Sequence, residues 1–546
     1  MPNCAPANGT IRTEDGRIIK LYQKAKEWEE SPCLWEGLFR IACLIKNKPL
    51  EEPVAIRIYE SIKETENGAF AGSFYEQICA ARAAFAVFEY NTDKAILRRI
   101  AVWLRYLEVE FEKCTAEDNT LYRPADLMEL LVRYYSVTGM KSVLRICSRL
   151  RAEAFDWTTA LHTFQQSIPI RNSEKHISAT LALPGPEELE YDEREKLINH
   201  AEMLADGMRY TLFSGLFSGH GGELASGRVL WEYLSRHHRA ICGGTTADPF
   251  LSGTASDKPV GNLALAAWAE AFGAQMILPE TEWATDEMIR IVFNGLEDCL
   301  ERDVVPDFQM VNTVYDAQQN SENRKAVYSR ITRAVATAYR NTVMITASGI
   351  KINYLLTARY IFMNGKQPVI LHTNSNSATF RCKKPFISAV DIYLSKTCTS
   401  EISLVRHHEA VSRKQDNSAQ KNGIYLRTER EWQNEDGYRL EQNDTVFAEE
   451  THHQGICFFA DNRLLAAGAD TDHYAYAITG VPKKKNGKIT VPTAETSRWK
   501  MSENIPADIP VLPDVSETIT ATEITPYYMN RSRIAMFPKA GHTCLK

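Results

Sequence analysis

The chain has 546 residues, with 63 Lys or Arg against 69 Asp or Glu and a formal net charge of −6. A hydrophobic content of 44% and a charged content of 24% are those of an ordinary globular protein, which excludes a disordered chain, a fibre and a coiled-coil rod. The acidic balance argues against nucleic-acid binding through bulk charge. At about 150 residues per domain the length allows three or four domains, or two large ones.

The amino terminus, MPNCAPANGTIRTEDGR, has no basic segment followed by an apolar run, and no stretch of about 18 apolar residues occurs. The expectation is a cytoplasmic protein without a membrane partner. The twelve cysteines form no C-x-x-C pair, which favours reduced buried thiols over a metal site. Up to about residue 345 the apolar period is helical. Phe74, Ile78, Ala81, Phe85 and Phe88 form one stripe, and Leu127, Leu130, Leu131 and Tyr134 a second. Leu263, Ala267, Trp268 and Phe272 form a third, and Met288, Ile291, Val292, Leu296, Cys299 and Leu300 a fourth. Each predicts a one-faced helix, with Thr138-Gly139 and Phe272-Gly273 as stops.

Beyond Ala347-Ser348-Gly349 the period becomes that of strands: IKINYLL, ATFRC, FISAVDIYL, EISLV, GIYL, GICFFA, YAYAI and KITV. Asn364-Gly365, Asn422-Gly423, Asp436-Gly437 and Asn486-Gly487 read as hairpin turns, and Lys483 to Lys485 as a solvated turn. Two regions follow, a helical one over 1–346 and an antiparallel β-domain over 347–546. The helical region has room for about twelve helix-and-loop units of about 29 residues. That permits a closed (α/α)6 toroid or an open helical array.

Several polar residues interrupt these segments. Asp126 and Glu129 are spaced as an N-cap and capping-box pair or as a site. Asp206 lies on a helix that is apolar on both sides of it. It faces either Arg209, as a structural pair, or a cavity. His220 lies in the glycine-flanked SGHGGE, and Glu223 suits the start of the next helix. The loop GGTTADPFLSGTASDKPVGN, with Asp248 and Asp257, is either an ordinary turn or a pocket loop. No phosphate loop, dinucleotide fingerprint or GxSxG elbow occurs. The adjacent pairs His237-His238, His407-His408 and His452-His453 point apart and read as surface residues.

In wording and order these segments resemble the β-L-arabinofuranosidase family of glycoside hydrolases. The resemblance spans roughly residues 120 to 360, with an echo in TPYYMNRSRIAMFP. ADLMELLVRYYSVTG is similar to the family's G-H-L-I-E-A-A-V-x-Y-Y-x-x-T-G, with Asp126 at its histidine. ADGMRY is similar to G-H-A-V-R-A, with Asp206 at the histidine. ICGGTTADPF leading to TASDKPVG resembles the I-T-G-G loop and C-E-T-C-A-x-I-G motif, with Asp257 at the second cysteine. IKINYLL resembles the strand Y-V-N-L-Y.

The resemblance implies an (α/α)6 toroid followed by an antiparallel β-sandwich. The family's zinc-binding cysteines are missing, and YSRITRAVATAY stands where its Cys-Cys-Pro motif is expected. Neither the metal nor the cysteine nucleophile carries over, and no cofactor is expected. What remains is a glycoside hydrolase-like enzyme acting on small oligosaccharides or glycosides, with Asp126, Asp206 and Asp257 facing one pocket. Three carboxyl groups together should raise at least one pKa, as a general acid requires. A separation above about 15 Å would exclude either hydrolytic geometry. Tyr75, Arg209, Tyr210, His220, Asp248, Trp268 and Tyr315 are candidate carbohydrate contacts. The alternatives are a noncatalytic carbohydrate-binding or assembly protein and a lyase using His220, Arg209 and Tyr210. Oligomeric state stays open, a homo-oligomer among the options.

Overall fold

A computed structural model gives the arrangement of the chain. It describes residues 4–6, 11–45, 51–63, 68–117, 121, 123–166, 200–245, 251, 254, 259–313, 324–347, 349–406, 409–413, 423–441, 445–451, 455–468, 476–496, 515–530 and 533–539.

The helices are α1 (Gly16–Ala25), α2 (Pro32–Leu44), α3 (Glu51–Ser61), α4 (Phe74–Asn91), α5 (Lys94–Glu117), α6 (Ala125–Thr138) and α7 (Lys141–Glu153). They continue with α8 (Trp157–His162), α9 (Ala201–Ser218), α10 (Gly221–His237), α11 (Asn262–Gln275), α12 (Glu282–Arg290), α13 (Glu297–Glu301) and α14 (Arg324–Thr342). Their ends follow local chemistry. Ser73 caps α4 by accepting from the Glu76 N–H, and Glu76 returns a bond to the Ser73 N–H, a full capping box. Gly139 ends α6 at φ 64°, as the Thr138-Gly139 signal predicts.

Phe272-Gly273 does not end α11, which runs on to Gln275. Gly273 is a packing glycine: a Cβ there would lie 2.5 Å from Thr337 Cγ2 on α14. The prediction of one-faced helices also fails for α4 and α11, which are buried nearly all round, as is α9, whose segment around Asp206 reads as apolar on both sides. A helix apolar on every side belongs inside a larger body. These helices pack in sequence: α2 on α4, α4 on α6, α6 on α9, α9 on α11, α11 on α14, and α14 back on α2. Behind them lie α1, α3, α5, α7, α10 and α12, each against its neighbour in the inner series. α6 does bury the predicted stripe Leu127, Leu130, Leu131 and Tyr134, and α5 and α7 also have a single buried face.

Helix α14 passes into a strand at Val343 without a linker. A five-stranded sheet orders residues 4–6, 343–346, 349–352, 386–394 and 424–432; a seven-stranded sheet orders 409–413, 401–406, 437–441, 377–382, 367–374, 358–364 and 11–12. Their faces meet through aromatic contacts, Phe380 lying 5.4 Å from Phe386 and 5.0 Å from Trp432. A third sheet, built mainly from strands between Phe447 and Pro526, has its own small core around Phe458, Val491, Ile524 and Phe537. The first strands of the chain thus pair with strands beyond residue 343. At the junction, α12 continues as a π-helical turn over Ile291–Leu296. Its Asn294 accepts from the Leu464 N–H (2.6 Å) and donates to the Asn462 carbonyl (3.2 Å), tying the helices to the third sheet.

Asn486-Gly487 forms the predicted two-residue hairpin, with positive φ at both residues. At Asn364-Gly365 the hairpin forms one residue on: Asn364 pairs with Gln367, and the loop is Gly365-Lys366, with positive φ at Gly365. Asp436-Gly437 forms no hairpin, because the strands it joins lie in different sheets. A Cβ at Gly437 would sit 1.9 Å from the Ala378 carbonyl oxygen, so only glycine fits. Asn422 lies outside the described residues. Lys483–Lys485 is an edge strand paired with residues 488–490 rather than a free turn.

Candidate functional site

The inner helices carry charged residues into the middle of the ring. Asp126 is the second residue of α6, and its neighbour Pro124 holds the N-cap position. Its carboxylate turns away from the helix backbone to three arginines. Arg82 Nη1 donates at 2.6 Å, Arg333 Nη1 at 3.3 Å, and Arg209 Nη2 makes a third bond. Asp206, on the second turn of α9, accepts from Arg330 (2.6 Å) and Arg209 (3.2 Å). Glu270 of α11 accepts from Arg209 (2.9 Å), Arg330 (2.8 Å) and Arg333 (2.8 Å). Glu36, Glu129 and Glu202 complete the set, bonded to Arg82, to Arg82 and Arg209, and to Arg330 respectively.

All of these groups except the half-buried Glu129 are buried. A buried charge is tolerated only when paired and hydrogen-bonded, and here every guanidinium serves at least two carboxylates. The capping-box alternative for Asp126 and Glu129 is therefore not what the residues do. The Asp206–Arg209 pair is present, as one link of a larger net.

The proximity expectation holds for two residues. Asp126 and Asp206 accept from the same Arg209 nitrogen, so their nearest oxygens are no more than about 6 Å apart. Neither of these two carries the raised pKa expected of at least one of the three carboxyls, and Asp257 lies outside the described residues. Burial would push both carboxyls up, but Arg82, Arg209 and Arg333 outweigh it at Asp126, and Arg330 and Arg209 at Asp206. Both end below the usual carboxylate range. Among the described residues the ring centre holds six carboxylates and four arginines, and each of those carboxylates bonds at least one guanidinium.

The other predicted contacts separate. Trp268 is wholly buried, stacked with Phe272 and donating from Nε1 to Thr245; it is core, not a sugar platform. Arg209 is consumed by the net. Tyr210 is 5% exposed, next to Ser214 on the side facing Arg151 and Glu223, and burial lifts its pKa to about 12. His220 caps α10, its Nδ1 accepting from the Glu223 N–H. It lies beyond the far end of α9 from Asp206, roughly 20 Å along the axis at 1.5 Å per residue. Arg209, Tyr210 and His220 therefore do not assemble the base and charge-neutralising pair of a lyase. Tyr75 is 39% exposed on the second position of α4, and the charges acting on its hydroxyl include Asp126. Asp248, Asp257 and Tyr315 lie outside the described residues, as do His407, His408, His452 and His453. His238 is buried, its Nε2 against the Gln166 carbonyl, and is not the surface residue the sequence suggests.

Sequence reasoning passed over Glu36, Arg82, Glu202, Glu270, Arg330 and Arg333. The signal was present: AARAAFAV and LALAAWAEAF each hold one charge in an apolar helix, which needs a buried partner. It also passed over a thiol pair. Cys79 Sγ donates to Cys33 Sγ at 3.4 Å. That bond, with help from Ser31, Arg333 and Lys325, outweighs burial and brings Cys33 down to about 7. Cys33 is the second residue of α2, and its carbonyl accepts from Ser329 on α14.

Zinc does not fit this centre. It requires converging cysteine, histidine or carboxylate donors, and YSRITRAVATAY supplies Arg330 and Arg333 instead. Among the described residues no cluster of three or more His, Cys, Asp or Glu is arranged to hold a metal ion. No described helix is long and apolar enough to cross a membrane.

No protein-family model matches the chain, and no curated protein matches it by sequence. Solved structures do. A glycoside hydrolase aligns over 98% of both chains with a TM-score of 0.72 at 12% identity. A GH127 β-L-arabinofuranosidase from Geobacillus stearothermophilus T6 aligns over 95% of this chain and 91% of its own, with a TM-score of 0.64 at 14% identity. Another GH127 β-arabinofuranosidase aligns over 98% of both, with a TM-score of 0.64 at 11% identity. The chain shares the fold of these proteins over nearly its whole length, at a remote sequence identity.

Proposed function

We propose that the chain is a carbohydrate-active protein of the glycoside hydrolase type, an (α/α)6 toroid over residues 1–346 followed by β-sandwich structure over 347–546. Its substrates are small oligosaccharides or glycosides, and its working mouth is the amino-terminal end of the inner helices. The observation that carries this reading is the Asp126–Asp206 pair, held together on neighbouring helices by Arg209 in a fold shared with glycoside hydrolases.

Glycosidic cleavage needs a carboxylate that faces the developing positive charge at the anomeric carbon and a separate proton donor for the leaving oxygen. Asp126 and Asp206, kept ionised by arginines, suit the first task and cannot perform the second. Asp257, placed by the family resemblance on the same pocket, is the proposed acid. Tyr75 is the proposed sugar-facing aromatic at this mouth.

The test is turnover of an aryl-glycoside and oligosaccharide panel by wild type and by Asp257→Asn, with Tm measured in parallel. Turnover by wild type, and its loss in a variant of unchanged Tm, is the expected result. Full activity of Asp257→Asn sinks the assignment of the acid. One observation favours a second reading, a noncatalytic carbohydrate-binding protein: the carboxyls of Glu36, Asp126, Glu129 and Asp206 are all held below their usual range. Binding of a panel sugar without any turnover decides for it.

A further inference from the structure

We propose that the cavity at the carboxyl-terminal mouth of the helical ring binds a small organic monoanion with an apolar body, its charge on Arg340 and its body against Phe213, Leu216 and Phe217.

The cavity measures about 660 Å3, a size that holds a small-molecule ligand. Its floor is the arginine–carboxylate net: Glu36, Arg82, Glu129, Arg209, Glu270 and Arg333 line it, and three of those arginines bond Asp126. From there it opens along the last turns of the inner helices, where Phe217 is the penultimate residue of α9 and Arg340 lies in the last turn of α14. The proposal concerns Arg340 and the apolar wall, which the glycosidase reading does not use.

The charge on its walls is unbalanced. Six arginines and three glutamates line the cavity. Five of those arginines (Arg40, Arg82, Arg133, Arg209 and Arg333) each bond to at least one carboxylate. Arg340 is the exception. Among the described residues no carboxylate lies within ion-pairing distance of it, and it makes no hydrogen bond there. Arg40 and Arg133, its cationic neighbours, share Glu89 between them. Burial, then the charges of Arg40 and Arg133, push Arg340 down to about 9. A guanidinium kept in such a place carries an unmet demand for an anion, and its fork of donors suits a carboxylate, sulfonate or phosphate oxygen pair.

The other wall is apolar. Phe213 is buried, while Leu216 and Phe217 are half-buried and face the same space. A ligand with one anionic end and a hydrophobic body satisfies both walls, whereas an inorganic anion satisfies only the charged wall and a free sugar neither. Arg340 has a structural alternative, since a cation in the last turn of a helix complements the helix dipole. A measurement of ligand binding separates the two roles.

The probe is 8-anilinonaphthalene-1-sulfonate, an amphipathic anion, with the neutral N-phenyl-1-naphthylamine as control, both read by fluorescence on the full chain. The expected result is saturable one-to-one binding of the anion. Arg340→Gln should weaken it about tenfold, the worth of one charge-assisted contact, and leave the neutral probe within about twofold. Unchanged anion affinity in Arg340→Gln overturns the proposal, and so does equal affinity of wild type for both probes. A competition on wild type needs no variant: octanoate should displace the anion and octanol should not. Equal displacement by the two also overturns the proposal.

Discussion

In the middle of the ring Arg82, Arg209, Arg330 and Arg333 each meet at least two carboxylates. Two helical turns further along α14, Arg340 meets none among the described residues. The same residue type on the same helix thus serves two ends. In the middle, desolvation of many charges is offset by mutual attraction and shared hydrogen bonds. Such a net contributes little to stability over an apolar core, but it is costly to break, because each removed partner leaves a buried charge alone. At the carboxyl-terminal mouth a cation borders open space and is available to something else. In the central plug, Asp126 and Asp206, held below the usual carboxylate range by their arginines, are kept ionised rather than poised as acids.

Three measurements break or sharpen that contrast. The largest effect should come from acid. The carboxyls of Glu36, Asp126, Glu129 and Asp206 are held below their usual range in the fold. A depressed folded-state pKa gives stability that is present above the unfolded value, about 4, and is lost as pH falls through the folded value. Urea midpoints should hold from pH 7 to about 5 and then fall steeply below about 4. A flat profile down to pH 3 would mean that the plug is not formed.

Next in size is Asp126→Ala, which takes one partner from each of three buried arginines at once. It should cost about 3–5 kcal/mol, read as a lowered urea midpoint. A double variant that also replaces Arg82 should recover part of the loss, since each residue is then missing a partner already gone. The smallest effect belongs to Arg340→Gln. With no ion pair to lose, it should change stability by no more than about 1 kcal/mol, the scale of a helix-dipole contact. A loss as large as that of Asp126→Ala would join Arg340 to the plug and erase the difference between the two regions.

Much of the architecture was legible from residue patterns. The change of period near Ala347 is where α14 gives way to strands. Gly139, Gly365 and the Asn486-Gly487 turn do what their conformational freedom suggests. Ranking of the helices was not legible: the stripes of α4 and α11 read as single faces, but alanines on their other sides are buried as well, and alanine is what close helix packing selects. The candidate site was half legible. Asp126 and Asp206 stood out as charges in apolar segments and do lie together. Arg82, Arg330, Arg333 and Glu270 carried the same signal, but their meeting depends on helices far apart in the chain.

By itself the sequence determined that helices precede strands, where several of them stop, and which polar residues are too buried to stand alone. These follow from local periodicity, turn geometry and desolvation, which act over a few residues. Only the tertiary structure decided what those polar residues meet. It made Asp126 and Asp206 anchors for arginines, Trp268 a core residue and His220 a distant cap, and it left Arg340 facing a cavity. Charge pairing depends on distances across the ring, and no spacing along the chain encodes them.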